Sequence, residues 1–214
     1  MKKLLIFDLD GTLLDTLDDL KNSVNYALNK HNFPERSREE IRNSVGNGFA
    51  HLVSTSLPCG AGNVDAVLRD ARSYYKIHFC EKTAPYEGIL DMLEKLKAMD
   101  YGLAIVSNKP HEMVLSLQQR FFSELIDYAV GEMEGVARKP APDSVFAAMR
   151  HFNASKEDTV YIGDSEVDLE TAKNAGVESL IVGWGFRTKQ ELEAAGVTEI
   201  LPNMEALHRK ILSL

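Results

Sequence analysis

A chain of 214 residues, 44% apolar, 26% charged and 8% aromatic, can bury an ordinary globular core; this excludes a disordered or fibrous protein and a large multidomain machine. Lysine and arginine number 24 against 32 aspartates and glutamates, a net charge of −8. Such a surface repels phosphate backbones and anionic lipid heads, so no nucleic acid and no membrane is expected as a partner, and an anionic ligand has to be held by local cations.

In chain order, Met1-Lys2-Lys3 imitates the basic start of an export signal, but only Leu4 to Phe7 follow before Asp8, too short an apolar segment for that role. No other apolar run is long enough to span a bilayer, and a cytoplasmic location is expected. Residues 4–7 read instead as a strand ending in Asp8-Leu9-Asp10-Gly11-Thr12. From Thr16-x-x-Asp19, a capping-box-like start, Leu17, Leu20, Val24, Ala27 and Leu28 form a helical stripe. Further helical segments are expected around 38–45, 47–57 and 64–81, punctuated by Gly46-x-Gly48 and Pro58-Cys59-Gly60.

After residue 83 the pattern changes to alternation. A helix at 88–99 is stopped by Asp100-Tyr101-Gly102; an apolar run at 103–106 ends in Ser107-Asn108; a weaker run lies at 128–130. Lys139-Pro140 precedes a helix around 142–151, and the run at 160–162 ends in Gly163-Asp164. A helix over 165–175 has Ser165 as N-cap and Gly176 at its C-terminal stop, and a last run at 180–182 closes on Gly183. Continuous apolar runs mark strands buried on both faces, and their alternation with helices marks an α/β fold: a doubly wound, mostly parallel sheet. Residues 1–15 and 84–214 are thus expected to form the α/β core, and 16–83 an inserted all-helical cap.

Cys59 and Cys80 make no disulfide framework and are expected to be small, buried and inert. Asn153-Ala154-Ser155 matches a glycosylation acceptor, which has no meaning without export. None of His31, His51, His78, His111, His151 and His208 pairs at metal-ligand spacing, so they read as surface or satisfied polar groups.

The chemistry-bearing residues stand at strand ends. Alone, each has a plain reading: Asp10-Gly11 as a hairpin turn, Ser107 and Asn108 as loop caps, Lys139 as a solvated lysine, Asp164 or Ser165 as an N-cap. A calcium loop is excluded by the position of its glycine and the missing glutamate. In an open parallel sheet, however, these strand ends face one crevice, where ligands bind.

Together they resemble the haloacid dehalogenase superfamily, in the phosphatase branch with a helical cap after the first motif. Asp8-x-Asp10-Gly11-Thr12 is similar to its first motif, Ser107 to its second, Lys139 to its third and Gly163-Asp164-x-x-x-Asp168 to its fourth, and the likeness covers essentially the whole chain. Val45-Gly46-Asn47-Gly48, Arg138-Lys139-Pro140-Ala141-Pro142 and Trp184-Gly185-Phe186-Arg187 resemble the phosphoglycolate phosphatase group.

The resemblance implies a small-molecule phosphate ester as substrate, a monomer or homodimer, and Mg²⁺ as cofactor. A carboxylate attacking a phosphate dianion meets a repulsion of about 8 kcal/mol at ~4 Å and an effective dielectric of ~20, which cations at the site must offset. They would be Mg²⁺, held by Asp8, the Asp10 backbone carbonyl and Asp164, and the ammonium of Lys139. Asp168 is placed as a further metal ligand or as a partner of Lys139. Asp8 would be the nucleophile, Asp10 the general acid and base, and Ser107 and Asn108 the phosphate holders. In the cap, Arg42 and Asn47 beside the glycine turn are the candidates for binding the rest of the substrate, with Arg187 a weaker one. The proton-donating Asp10 argues against dehalogenation, because halide leaves without a proton. A sugar-phosphate mutase or pyrophosphatase is the alternative within the superfamily, and a non-catalytic phospho-ligand binding or signalling module the alternative outside it.

Overall fold

In the computed structural model, which describes residues 3–214, the first apolar run forms β1 (Leu4–Phe7), and every one of its residues is buried. Leu5 and Phe7 pack on one face with Leu103, Ile105, Val160 and Ile162. Leu4 and Ile6 pack on the other with Ala104, Val106 and Tyr161. Period-two alternation thus feeds two apolar clusters, one on each side of the same layer. The Met1-Lys2 start read as basic lies outside the described residues.

Ahead of the second long strand come β2 (Leu14–Asp15), α1 (Leu17–Lys30), α2 (Arg38–Ser44), α3 (Phe49–Ser56), α4 (Val64–His78) and β3 (Ala84–Pro85). The rest is α5 (Ile89–Ala98), β4 (Gly102–Pro110), α6 (His111–Phe121), β5 (Tyr128–Glu132), α7 (Asp143–Phe152), β6 (Thr159–Gly163), α8 (Glu166–Ala175), β7 (Glu178–Val182), α9 (Lys189–Ala194), β8 (Ile200–Leu201) and α10 (Met204–Leu212). Six strands make one sheet in the order β5-β4-β1-β6-β7-β8, each neighbouring pair parallel. Helices cover both faces, so the fold is a doubly wound parallel α/β sheet. The chain runs outward from β1 on one side, then crosses back to β6 on the other. The C-terminal end of β1 is therefore the switch point where such folds open a crevice.

Helices α1 to α4 share an apolar cluster of their own, built on Leu20, Val24, Ile41, Phe49, Leu52, Val67 and Tyr75, to which the sheet side adds Phe186. Two chain crossings join this helical insertion to the sheet. They pair as the antiparallel strands β2 and β3, with Leu14 opposite Pro85 and Asp15 opposite Ala84. The expected capping box at Thr16 is absent: Thr16 makes no cap bond, and its buried Oγ1 has no partner. Asp19 is turned to the joint instead. Its carboxylate accepts from Lys82 N, Thr83 N and Thr83 Oγ1 at 2.8–3.1 Å, because the returning chain needs its buried N–H groups satisfied more than the helix start does. A true capping box lies at Ser37 and Glu40, starting α2.

Other expectations change in detail. The segment expected at 64–81 ends as helix at His78. Cys59 is exposed in the turn after α3, and Cys80 is half-buried. His208 is neither exposed nor satisfied, since its Nε2 is buried without a partner.

Candidate active site

The register of the sheet brings the polar strand ends level. Phe7 stands opposite Ile105 and Ile162, so Asp8, Ser107 and Asp164 emerge side by side one or two residues later. Asp8 N donates to Ile162 O at 2.8 Å, which fixes the nucleophile candidate to the neighbouring strand. The Lys139 ammonium donates to Asp8 Oδ1 and Asp168 Oδ1, both at 2.8 Å, and to the Tyr161 hydroxyl at 3.0 Å. All three of its N–H groups are taken.

Asp164 is held as tightly. Its Oδ1 accepts from Thr12 Oγ1 at 3.0 Å and its Oδ2 from Phe186 N at 2.7 Å. Two glycines make room for it. A Cβ on Gly11, whose φ is +94°, would stand 2.5 Å from Asp164 Oδ2, and one on Gly185 would stand 2.3 Å from the same carboxylate. Asp168 starts α8 as its capping partner. Its Oδ2 accepts from Asp164 N, Ser165 N and Ser165 Oγ, while Oδ1 meets Lys139.

Carboxylate oxygens of Asp8, Asp164 and Asp168 lie within 4.8 Å of one another, all three residues buried. Burial pushes the Asp8 carboxyl up to about 7, against the lowering pull of Lys139 and with a further upward push from Asp168. Burial, then the charges of Asp168 and Asp8, push Asp164 up to about 8. Burial pulls on Lys139 in the opposite sense, but Asp168 and Asp8 outweigh it and keep the ammonium firmly charged. One ammonium among three buried carboxylates leaves negative charge uncompensated. An all-oxygen donor set with that excess fits a hard divalent cation. Asp8 and Asp164 have capacity left for one, whereas the oxygens of Asp168 are engaged by Lys139 and the start of α8.

A second cluster was not legible in the strand-end motifs. Lys109, also fully buried, donates to Asp10 Oδ1 at 2.8 Å and to the hydroxyl of Tyr75, which arrives from α4. Burial would pull the Lys109 ammonium down, but Asp10 and then Tyr75 hold it above the ordinary lysine range. Ser107 Oγ accepts from Lys109 N at 3.2 Å and keeps its own O–H to give. The signal for Lys109 was only its place two residues past Ser107. Tyr75 was hidden in the apolar spacing Val67-Ala71-Tyr75, which reads as core and is core.

Four sequence-derived candidates are placed differently from expectation. Asn108 lines the pocket, but both N–H bonds of its amide are taken, by Gly46 O at 2.9 Å and Lys139 O at 3.0 Å, and its Oδ1 accepts from Lys139 N. Its side chain fastens the insertion to the Lys139 loop and has no N–H left for a phosphate. Arg42 is not brought to the pocket: α2 buries Ile41, and the neighbouring Arg42 guanidinium turns to Asn43 Oδ1 at 2.9 Å. Asn47 lies between Gly46 and Gly48, which line the pocket while it does not. Arg187 grips Glu166 at 2.7 and 3.0 Å and donates to Val45 O at 2.8 Å and Arg42 O at 3.3 Å, so it ties the sheet edge to the insertion.

The pocket encloses about 40 Å³, room for a few water molecules. Its sheet side is Asp8, Asp10, Ser107, Asn108, Lys109, Lys139 and Ser165, and its helical side is mostly apolar, with Leu20, Phe49, Leu52 and Tyr75.

The family model described as haloacid dehalogenase-like hydrolase matches residues 5–182. A phosphoglycolate phosphatase of Rhodobacter capsulatus is 32% identical over 200 residues, covering 91% of this chain and 90% of that protein. One of Colwellia psychrerythraea is 30% identical over 205 residues, covering 91% and 90%. A crystal structure from Lactobacillus delbrueckii subsp. bulgaricus, provisionally described as a phosphoglycolate phosphatase, superposes with a TM-score of 0.93 at 35% identity over 99% of both chains.

Proposed function

The chain belongs to the haloacid dehalogenase-like hydrolase family and is a phosphoric monoester hydrolase, and we propose that it is a Mg²⁺-dependent phosphatase cleaving a small, phosphoglycolate-like ester through an aspartyl-phosphate on Asp8. The observation that carries this reading is the pairing of Asp8 with Asp10 at the end of β1. The first carboxylate is gripped by Lys139, and the second, two residues on, stands apart from the three-aspartate cluster.

In the first step an Asp8 oxygen attacks phosphorus, the ester P–O bond breaks, and the Asp10 carboxyl gives its proton to the departing alkoxide. In the second, water attacks the phosphoryl group, Asp10 takes the water's proton, and the bond to Asp8 breaks to return the free carboxylate. Ser107 Oγ and the backbone N–H groups after Asp8 hold the phosphoryl oxygens, and Lys139 keeps Asp8 oriented and partly neutralised. Asp168 acts through Lys139 and through the start of α8. The metal would be held by Asp8, the Asp10 backbone carbonyl and Asp164. Bound there it would supply positive charge against the dianion, and the uncompensated carboxylates support its presence.

Residues 16–83 then serve as a cap domain on the core formed by 1–15 and 84–214, closing over the crevice and excluding water. Phosphate release from an aryl phosphate and a panel of esters, with Mg²⁺ and with a chelator, tests the reading. Release that needs the metal and is led by phosphoglycolate supports it. Release unaffected by the chelator, or no release from any ester, contradicts it.

A further inference from the structure

The substrate's second end needs a receptor, and Arg42 does not reach the pocket. Among the described residues the cationic side chains lining it are Lys109 and Lys139. Lys139 has three N–H groups and three acceptors, Asp8, Asp168 and Tyr161, so it has none to give. Lys109 has the same three N–H groups but two acceptors, Asp10 Oδ1 and the Tyr75 hydroxyl. That hydroxyl accepts from Lys109, and its own proton has no acceptor among the described residues. One N–H and one O–H therefore remain, side by side, where Lys109 of the sheet side meets Tyr75 of the mostly apolar helical side.

Both donors are held in place. The Tyr75 ring stacks on Phe49 with centroids 4.8 Å apart and planes 7° from parallel, and the Lys109 ammonium lies 5.0 Å from the Tyr75 ring centre. Lys109 touches Asp10, the group that protonates the departing oxygen, so the donor pair sits on the leaving-group side of the pocket. The spare N–H belongs to an ammonium, so the pair presents two donors beside one positive charge. A carboxylate offers two acceptor oxygens to the two donors and a charge attracted to the ammonium. An alcohol or an amide has no such charge.

We propose that Lys109 and Tyr75 form the specificity site for a carboxylate on the leaving group, so that the favoured substrate is the phosphate ester of a short hydroxycarboxylic acid. This rests on the phosphatase reading given above. It assigns recognition to a lysine near the end of β4 and a tyrosine of the insertion rather than to the arginine of α2.

The test compares 2-phosphoglycolate with 2-hydroxyethyl phosphate, similar in size and without the carboxylate, in the full-length wild type and in Tyr75→Phe, which keeps the ring and its stacking. The wild type is expected to favour phosphoglycolate. In Tyr75→Phe the ratio of the two kcat/KM values falls about tenfold, chiefly through KM for phosphoglycolate. Lys109→Met lowers the same ratio further. A binding readout without turnover uses Asp8→Asn as background, where adding Tyr75→Phe should weaken phosphoglycolate binding by a similar factor. A ratio that falls less than about threefold in Tyr75→Phe, or a wild type indifferent to the carboxylate, overturns the specificity site while leaving the phosphatase reading intact. Absence of phosphate release from both esters and from an aryl phosphate refutes the phosphatase reading itself.

Discussion

The two buried lysines occupy one pocket and are built in opposite ways. Lys139 is saturated by groups outside the insertion: Asp8 and Tyr161 of the sheet and Asp168 at the start of α8. Lys109 shares itself between the sheet side, at Asp10, and the helical insertion, at Tyr75. A cation whose partners all lie outside the insertion can orient a reacting group without regard to what the insertion does. A cation whose partner comes from an inserted unit has its geometry completed only when that unit is in place. The difference separates a chemical half of the pocket, fixed by strand register, from a selecting half that depends on helix packing.

The sharpest break of this contrast is loss of the nucleophile. Asp8→Asn should lower kcat on the order of 10⁴-fold or more with unchanged circular dichroism, whereas no single change on the helical side should approach that loss. Next is the saturated lysine. Lys139→Met leaves Asp8 and Asp168 buried without their counter-ion and should cost about 3–5 kcal/mol in denaturant unfolding as well as activity.

A third prediction concerns the acidic cluster in metal-free protein. Asp8 and Asp164 are raised to about 7 and about 8 from the 3.8 of an ordinary aspartate. A raised carboxyl stabilises the fold at low pH, where it is protonated, and that contribution is lost as pH climbs through the raised value. Metal-free protein should therefore lose Tm, on the order of 5 °C, between pH 6 and 8, and level off above. Mg²⁺ should restore Tm more at pH 9 than at pH 6, and Asp164→Asn should flatten both dependences. A Tm of metal-free protein that rises over this range would contradict the sign.

The smallest effect belongs to the fastening between the halves. Arg187→Ala removes donors to Val45 O and Arg42 O and should raise KM by about two- to fivefold with less change in kcat. A larger fall in kcat than rise in KM would place Arg187 with the chemical half.

Strand ends were readable because one physical rule governs them: an apolar run buried on both faces must end where the crevice begins. Asp8, Ser107 and Asp164 followed from that rule, and Lys139 from the resemblance in motif order. The helical side obeys no comparable rule. Tyr75 takes its place in the apolar stripe of α4 and reveals a polar role only through the hydroxyl's contact with Lys109 across the pocket. Arg42 stood beside a glycine turn and looked poised to enter, but which way a side chain leaves a two-turn helix is settled by its neighbours, here Asn43 and buried Ile41. The β2–β3 pair was equally hidden, because two residues on each side leave no period to read and the pairing partners, Leu14 with Pro85 and Asp15 with Ala84, lie far apart in the chain.

Covalent catalysis at Asp8 is the claim on which the chemical half stands, and acid quenching during the first turnover examines it most directly. With phosphoglycolate and Mg²⁺, the peptide carrying Asp8 should be recovered with a base-labile phosphoryl group that is absent from Asp8→Asn. Rapid phosphate release with an unmodified Asp8 peptide throughout the first turnover would contradict it.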